Sequence, residues 1–157
     1  MVSILLGLCC LLSDKMPYPE ASQLRRAEAL VQEVYGAEIA KAKLPQAKSK
    51  LAQDILKTAR EEQDGAVRFA ALQAARRLAV EALDGKLGLE IIREIVQTYE
   101  PLESMPAEER LAEAERLWKQ AEKAQGREKL AKQLEALEQW LYCDVASGLI
   151  VQKWAAR

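Results

Sequence analysis

The sequence predicts an all-α fold, and three observations carry that prediction. The 157 residues are 50% hydrophobic and 30% charged but only 5% aromatic, with 26 alanines, the Ala/Leu/Glu/Lys/Arg bias of helical chains. Apolar residues recur at spacings of three and four over most of the length. Strand signals are missing: β-branched residues show no sustained alternation, and no Asn-Gly turn joins two apolar runs. The expected architecture is a set of antiparallel helical hairpins forming an α-solenoid or an irregular bundle of six to seven helices. One helical domain is expected over residues 20–157, long enough to bury roughly two-thirds of its unfolded surface. An apolar segment and a Pro-rich spacer precede it over residues 1–19.

The N-terminal run Val2–Leu12 is too short to span a bilayer as a helix, yet its length matches the apolar core of a signal peptide. No Lys or Arg precedes it, no A-x-A cleavage pattern follows it, and Leu8 stands where a lipoprotein signal wants a small residue before Cys9. Two readings stay open: export or membrane attachment through residues 1–12, or a segment retained by a cytoplasmic protein. Pro17-Tyr18-Pro19 predicts an extended spacer.

The first helix is expected from Glu20 to Lys43, with Leu24, Ala27, Val31, Val34 and Tyr35 inward and a bend at Gly36. Pro45 opens the second, because proline is tolerated in a first turn, and Leu51, Ala52, Ile55, Leu56 and Ala59 form its stripe. Asp64 suits the N-cap of the third. That helix begins the stretch Ala66–Tyr99, an alanine-packed helix, an Asp84-Gly85 break and a second helix with an Ile/Val stripe. The first of the pair leaves only Gln73, Arg76, Arg77, Glu81 and Asp84 for water, so it should be flanked on both sides. Gly85 suits a left-handed residue ending it. In the second, Leu87, Ile91, Ile92, Ile95, Val96 and Tyr99 predict one inward stripe. Pro101 and Pro106 bracket a loop. A fifth helix follows, with Glu108 and Glu109 in its first turn, where the helix dipole favours them, and with Leu111, Ala114, Leu117, Trp118, Ala121 and Ala124 along one side. Gly126 separates it from a sixth carrying Leu130, Leu134, Leu137 and Leu141. A final helix either starts at Asp144, with Val145, Leu149, Ile150 and Trp154, or continues the sixth.

Composition removes several chemistries. The chain has no histidine, hence neither the commonest general base nor the commonest metal ligand. No GxxxxGK[ST] or GxGxxG phosphate-binding turn occurs. Cys9 and Cys10 stand together in an apolar run, and Cys143 has no neighbouring base, so the three form no metal pattern. The acidic pairs, such as Glu61-Glu62 and Glu108-Glu109, fall on solvated helix faces. Charge is balanced at 23 basic against 24 acidic residues. The stretch from Arg25 to Arg60 is locally basic but lacks aromatics for base stacking, so nucleic acid is not an expected partner. No cofactor, metal or catalytic residue is expected, and the chain is predicted not to be an enzyme. Trp118, Trp140 and Trp154 recur in the C-terminal third, the first two adjoining the leucine stripes, as boundary packing or as anchors for a protein partner.

Residues 66–99 are 34 long and place Leu72, Ala75, Ala79, Gly88, Ile92 and Ile95 at apolar or small positions of the tetratricopeptide pattern. The segment resembles a degenerate tetratricopeptide-like repeat. It departs at Arg76, which stands where a small residue helps paired helices pack, and it lacks the signature Trp and Tyr. The Val34-Tyr35-Gly36 turn and the Leu44-Pro45 helix start are similar to helical regions of bacterial exported multidomain proteins. The tetratricopeptide resemblance implies a protein-interaction or scaffold role, by analogy of fold. Two alternatives stand beside it: a small-ligand-binding protein or enzyme with an interhelical carboxylate/Tyr pocket, and a structural spacer of a larger assembly.

Overall fold

A computed structural model describes residues 15–101 and 105–143. Among them are six α-helices and one isolated parallel bridge, Met16 with Tyr99. The all-α prediction holds, in the form of a bundle. The expected helix beyond Asp144, with Trp154, and the run Val2–Leu12, with Cys9 and Cys10, lie outside the described residues.

Helix α1 (Ala21–Lys41) begins behind Glu20, whose backbone N–H donates to Gln23 Oε1 at 3.0 Å. It runs through Gly36 without interruption. Ala27 and Val31 are buried, and Leu24, Tyr35 and Ile39 are partly so. Val34, expected inward, is 64% exposed, and Leu30 is 49% exposed. The reason is tertiary: α1 packs mainly on α3 (Gly65–Glu81) and only lightly on α2 (Pro45–Glu61), so the Leu30/Val34 row has little helix over it. Pro45 opens α2, and its five predicted apolar residues are all buried.

Helix α3 starts behind Asp64, whose carboxylate accepts from the N–H groups of Ala66 (2.8 Å) and Val67 (3.1 Å). The cap satisfies two donors that no helical carbonyl reaches. Eight apolar residues of α3, from Phe69 to Ala79, are buried. The helix is flanked as predicted, by α1 and α2 on one side and by α4 (Gly85–Thr98) on another. It ends in a turn that differs from expectation. Leu83, not Gly85, is the left-handed residue, with φ 58°. Asp84 N–H donates to Ala79 O (2.9 Å) and Leu83 N–H to Val80 O (3.0 Å), the paired bonds of a Schellman ending. Asp84 is thereby placed to cap α4 through Leu87 N–H at 3.1 Å, and Gly85 becomes the first residue of α4.

The single Ile/Val stripe predicted for α4 is two faces. Leu87, Ile91, Ile95 and Tyr99 join a cluster built on α1, α2 and α3. Leu89, Ile92 and Val96 join a second with Ala114, Leu130, Leu134, Ala136, Leu137 and Trp140. Helix α4 therefore couples two small cores. The second core is completed by the hairpin of α5 (Ala107–Lys123) and α6 (Gly126–Tyr142), with α6 lying on α4. Gly126, at φ +54°, turns the chain between them.

Candidate functional site: an interhelical polar cleft

The polar groups that leave the solvated faces gather where α3 and α6 meet. Arg76 was expected to face water; its side chain is 14% exposed, and its Nη1 donates to Glu138 Oε2 at 2.7 Å. Helix α6, arriving from 62 positions along the chain, covers what α3 alone leaves open. Helix α5 brings Arg110, 6% exposed, whose Nη1 donates to Gln139 Oε1 at 2.8 Å. Its guanidinium lies 5.5 Å from the centre of the Tyr142 ring, within cation–π range.

The expected spacer closes the same region. Met16 N–H donates to Thr98 O (2.7 Å), and Glu100 N–H donates to Met16 O (2.8 Å). This pins an extended strand to the end of α4 and puts the Tyr18 ring edge-on to Phe69 at 4.8 Å, with Phe69 in turn edge-on to Tyr99 at 5.1 Å. Lys15, the residue before Met16, has Nζ 5.7 Å from the Tyr142 ring centre. Tyr18, Arg76, Arg110, Glu138 and Tyr142 thus line one cleft of about 600 Å³, a volume within the usual range of small-molecule sites.

The electrostatics follow from partial burial. Burial pushes the Tyr142 phenol up, with the Glu138 carboxylate adding to it against Arg110 and Arg76. Burial likewise raises the Tyr18 phenol, with Glu138 next and Arg76 opposing. Both hydroxyls stay protonated at neutral pH and are available as donors. A second cleft of about 550 Å³ adjoins the first. The two share Gln73, Arg76 and Glu135 as wall residues, which makes a groove along α3 and α6 that runs on to Arg127.

Of the residues singled out in the sequence, Trp140 is 6% exposed and its ring centre lies 5.3 Å from that of half-buried Trp118. The two rings pack on each other at the second core. Cys143 is buried, and its thiol donates to Ala107 O at 3.7 Å. The basic stretch Arg25–Arg60 meets acids from later helices: Lys48 pairs with Glu81, and Arg60 pairs with Glu90 and Glu94. No group of three or more His, Cys, Asp or Glu among the described residues is placed to hold a metal ion. No helix among them is long and apolar enough to cross a membrane.

The cleft residues were not legible as a set. Arg76 carried the one usable signal, a charge at a position where a packed repeat wants a small residue. Compared with known proteins, the chain matches no family model, no curated protein and no solved structure.

Proposed function

We propose that the chain is a non-catalytic helical scaffold or protein-interaction module whose partner docks in the groove between α3 and α6. The observation that carries this reading is the groove's construction. Gln73, Arg76, Arg77, Val80 and Glu81 stand on the α3 wall, and Arg127, Glu128, Ala131 and Glu135 on the α6 wall. Each wall carries both signs of charge, with bases in the majority on α3 and acids on α6. A partner helix with charges on both flanks of an apolar ridge is the complementary shape. The tetratricopeptide-like spacing of residues 66–99 supports the same reading by analogy of fold.

The test is site-specific photocrosslinking in cells that make the protein. A crosslinker at Arg77 or Ala131 is expected to capture one and the same protein, and one at Lys57, on the outer face of α2, is not. Equal capture from all three positions, or none from the groove, overturns the reading. The latter result is what a structural spacer gives. A second reading, a small-ligand site, is favoured by the phenols and guanidiniums of the cleft at the Tyr18 end of the groove.

A further inference from the structure

We infer that the exposed row Arg26, Leu30, Val34, Glu38 of α1 is the contact surface for a second copy of this chain, the two α1 helices meeting antiparallel across a two-fold axis. The inference goes beyond the α3/α6 groove, with which this surface shares no residue.

Leu30 and Val34 are 49% and 64% exposed. Beside them, α1 packs only lightly on α2 and leaves a cavity of about 230 Å³, lined by Tyr35 and Thr58 and by Val67 and Ala71 of α3. The polar groups on its rim are already engaged: Thr58 Oγ1 donates to Asp54 O at 3.1 Å, and Glu62 Oε1 accepts from the N–H groups of Gln63 (2.8 Å) and Asp64 (2.9 Å). The cavity therefore calls for carbon, and an apolar ridge stands next to it. The residues that adjoin the undescribed segments lie elsewhere, around Tyr142 and the start of α5: Lys15 at the Tyr142 ring, Pro101 and Met105 on the cleft wall, and Cys143 against Ala107.

What selects a second copy is the order of charge along the row. Four-residue spacing puts Arg26, Leu30, Val34 and Glu38 on one ridge, with a base at one end and an acid at the other. All four are exposed, and neither the Arg26 nor the Glu38 side chain has a hydrogen bond or an ion pair among the described residues. Against an antiparallel copy, Leu30 meets Val34 and Arg26 meets Glu38, and the two-fold axis repeats each contact. A parallel copy would instead set base against base and acid against acid. Ridges of this spacing interdigitate in the commonest class of helix packing, and each chain's ridge then has the other's cavity to enter. A contact of this size belongs with weak, transient associations.

The experiment is sedimentation equilibrium of the full chain from about 10 μM to about 1 mM, with exchange of charge as the probe. The parent is expected to pass from monomer toward dimer across that range. Arg26→Glu and Glu38→Arg each bring like charges together twice per dimer, so each alone should weaken association by at least about tenfold. Mixed in equal amounts, the two variants carry opposite charges at every such contact, and the mixture should associate within about threefold of the parent. Leu30→Glu should leave a monomer. Urea midpoints of the variants should stay near that of the parent, since all three side chains are exposed. A parent that stays monomeric overturns the inference, and is what a row covered by a different protein gives. Single variants that associate like the parent, the result of association through Val2–Leu12, overturn it too, as does a mixture no tighter than its components. None of these outcomes bears on crosslinking at Arg77 and Ala131.

Discussion

Gly88 on α4 faces Leu134 on α6 so closely that a Cβ built on it would lie 2.7 Å from Leu134 Cδ1 and 3.2 Å from Cδ2. Leu134 is fully buried, so its methyls have no open space to turn into. The glycine is what allows the helix that bridges the two cores to meet the α5/α6 hairpin. Gly88→Leu should therefore destabilise by about 1–3 kcal/mol through overpacking, less the gain in helix propensity. Urea unfolding checks it, and a neutral or stabilised variant would place the α4–α6 contact elsewhere.

The Arg76–Glu138 pair joins the two cores across α3 and α6, with side chains 14% and 17% exposed. Removing one partner strands the other in a poorly hydrated place. Arg76→Met and Glu138→Leu are each expected to destabilise, while the double variant recovers much of the loss. The coupling energy from the four-protein cycle should be roughly 1–3 kcal/mol. Additive single effects would show that the pair is not held as described.

Glu94 sits between two guanidiniums, 2.6 Å from Arg68 Nη2 and 3.0 Å from Arg60 Nε. Burial pushes its carboxyl up, but hydrogen bonds and charge from Arg60 and Arg68 together outweigh burial and hold it below the ordinary value. A depressed folded value means that the contribution is complete above the unfolded pKa of about 4.3 and is lost as pH falls through the folded one. Glu94→Gln should cost about 1–2 kcal/mol near neutrality. Its denaturation midpoint should also fall less steeply than the parent's from pH 5 toward pH 3. Parallel acid limbs for the two proteins would refute the linkage.

At the alkaline end the group to watch is Tyr99, fully buried, whose hydroxyl donates to Gly65 O at 2.7 Å. Burial is the main reason its phenol is pushed up to about 12. Between pH 10 and about 12 the unfolded chain releases this proton and the folded chain keeps it, so stability falls with rising pH across that window. Tyr99→Phe should lose about 1–2 kcal/mol at pH 7, because the Gly65 carbonyl is left without its donor. Its stability should then decline less between pH 10 and 12 than the parent's, with Tyr18 and Tyr142 supplying the remaining slope. Denaturant melts at these pH values compare the two.

Much of the local structure was legible from residue types because caps and periods act within a turn or two. Asp64 caps α3, Pro45 opens α2, and the α2 stripe is buried residue for residue, since each depends on neighbours three or four positions away. Where the expectation slipped, a competing local bond decided. Asp84 serves both the Schellman ending and the α4 cap, which moves the left-handed position back to Leu83 even though Gly85 is the better-suited residue type.

The cleft was barely legible, because its members are far apart in sequence and individually ordinary. Tyr18 looked like part of a spacer and Arg76 like part of a wet face, and nothing marked Tyr142. Two backbone bonds to Met16 and one ion pair across 62 positions bring them together.

The sequence by itself determined that this chain is helical, where five of its described helices begin, and which residues belong to apolar faces. Helical periodicity and capping are properties of contiguous residues. Only the tertiary structure decided that the α4 stripe serves two cores, that Val34 is left outside, that Trp140 is interior, and that Arg76 meets Glu138 rather than water. An apolar period specifies a face but not what covers it, and the occupant is chosen by packing between segments that no local pattern connects.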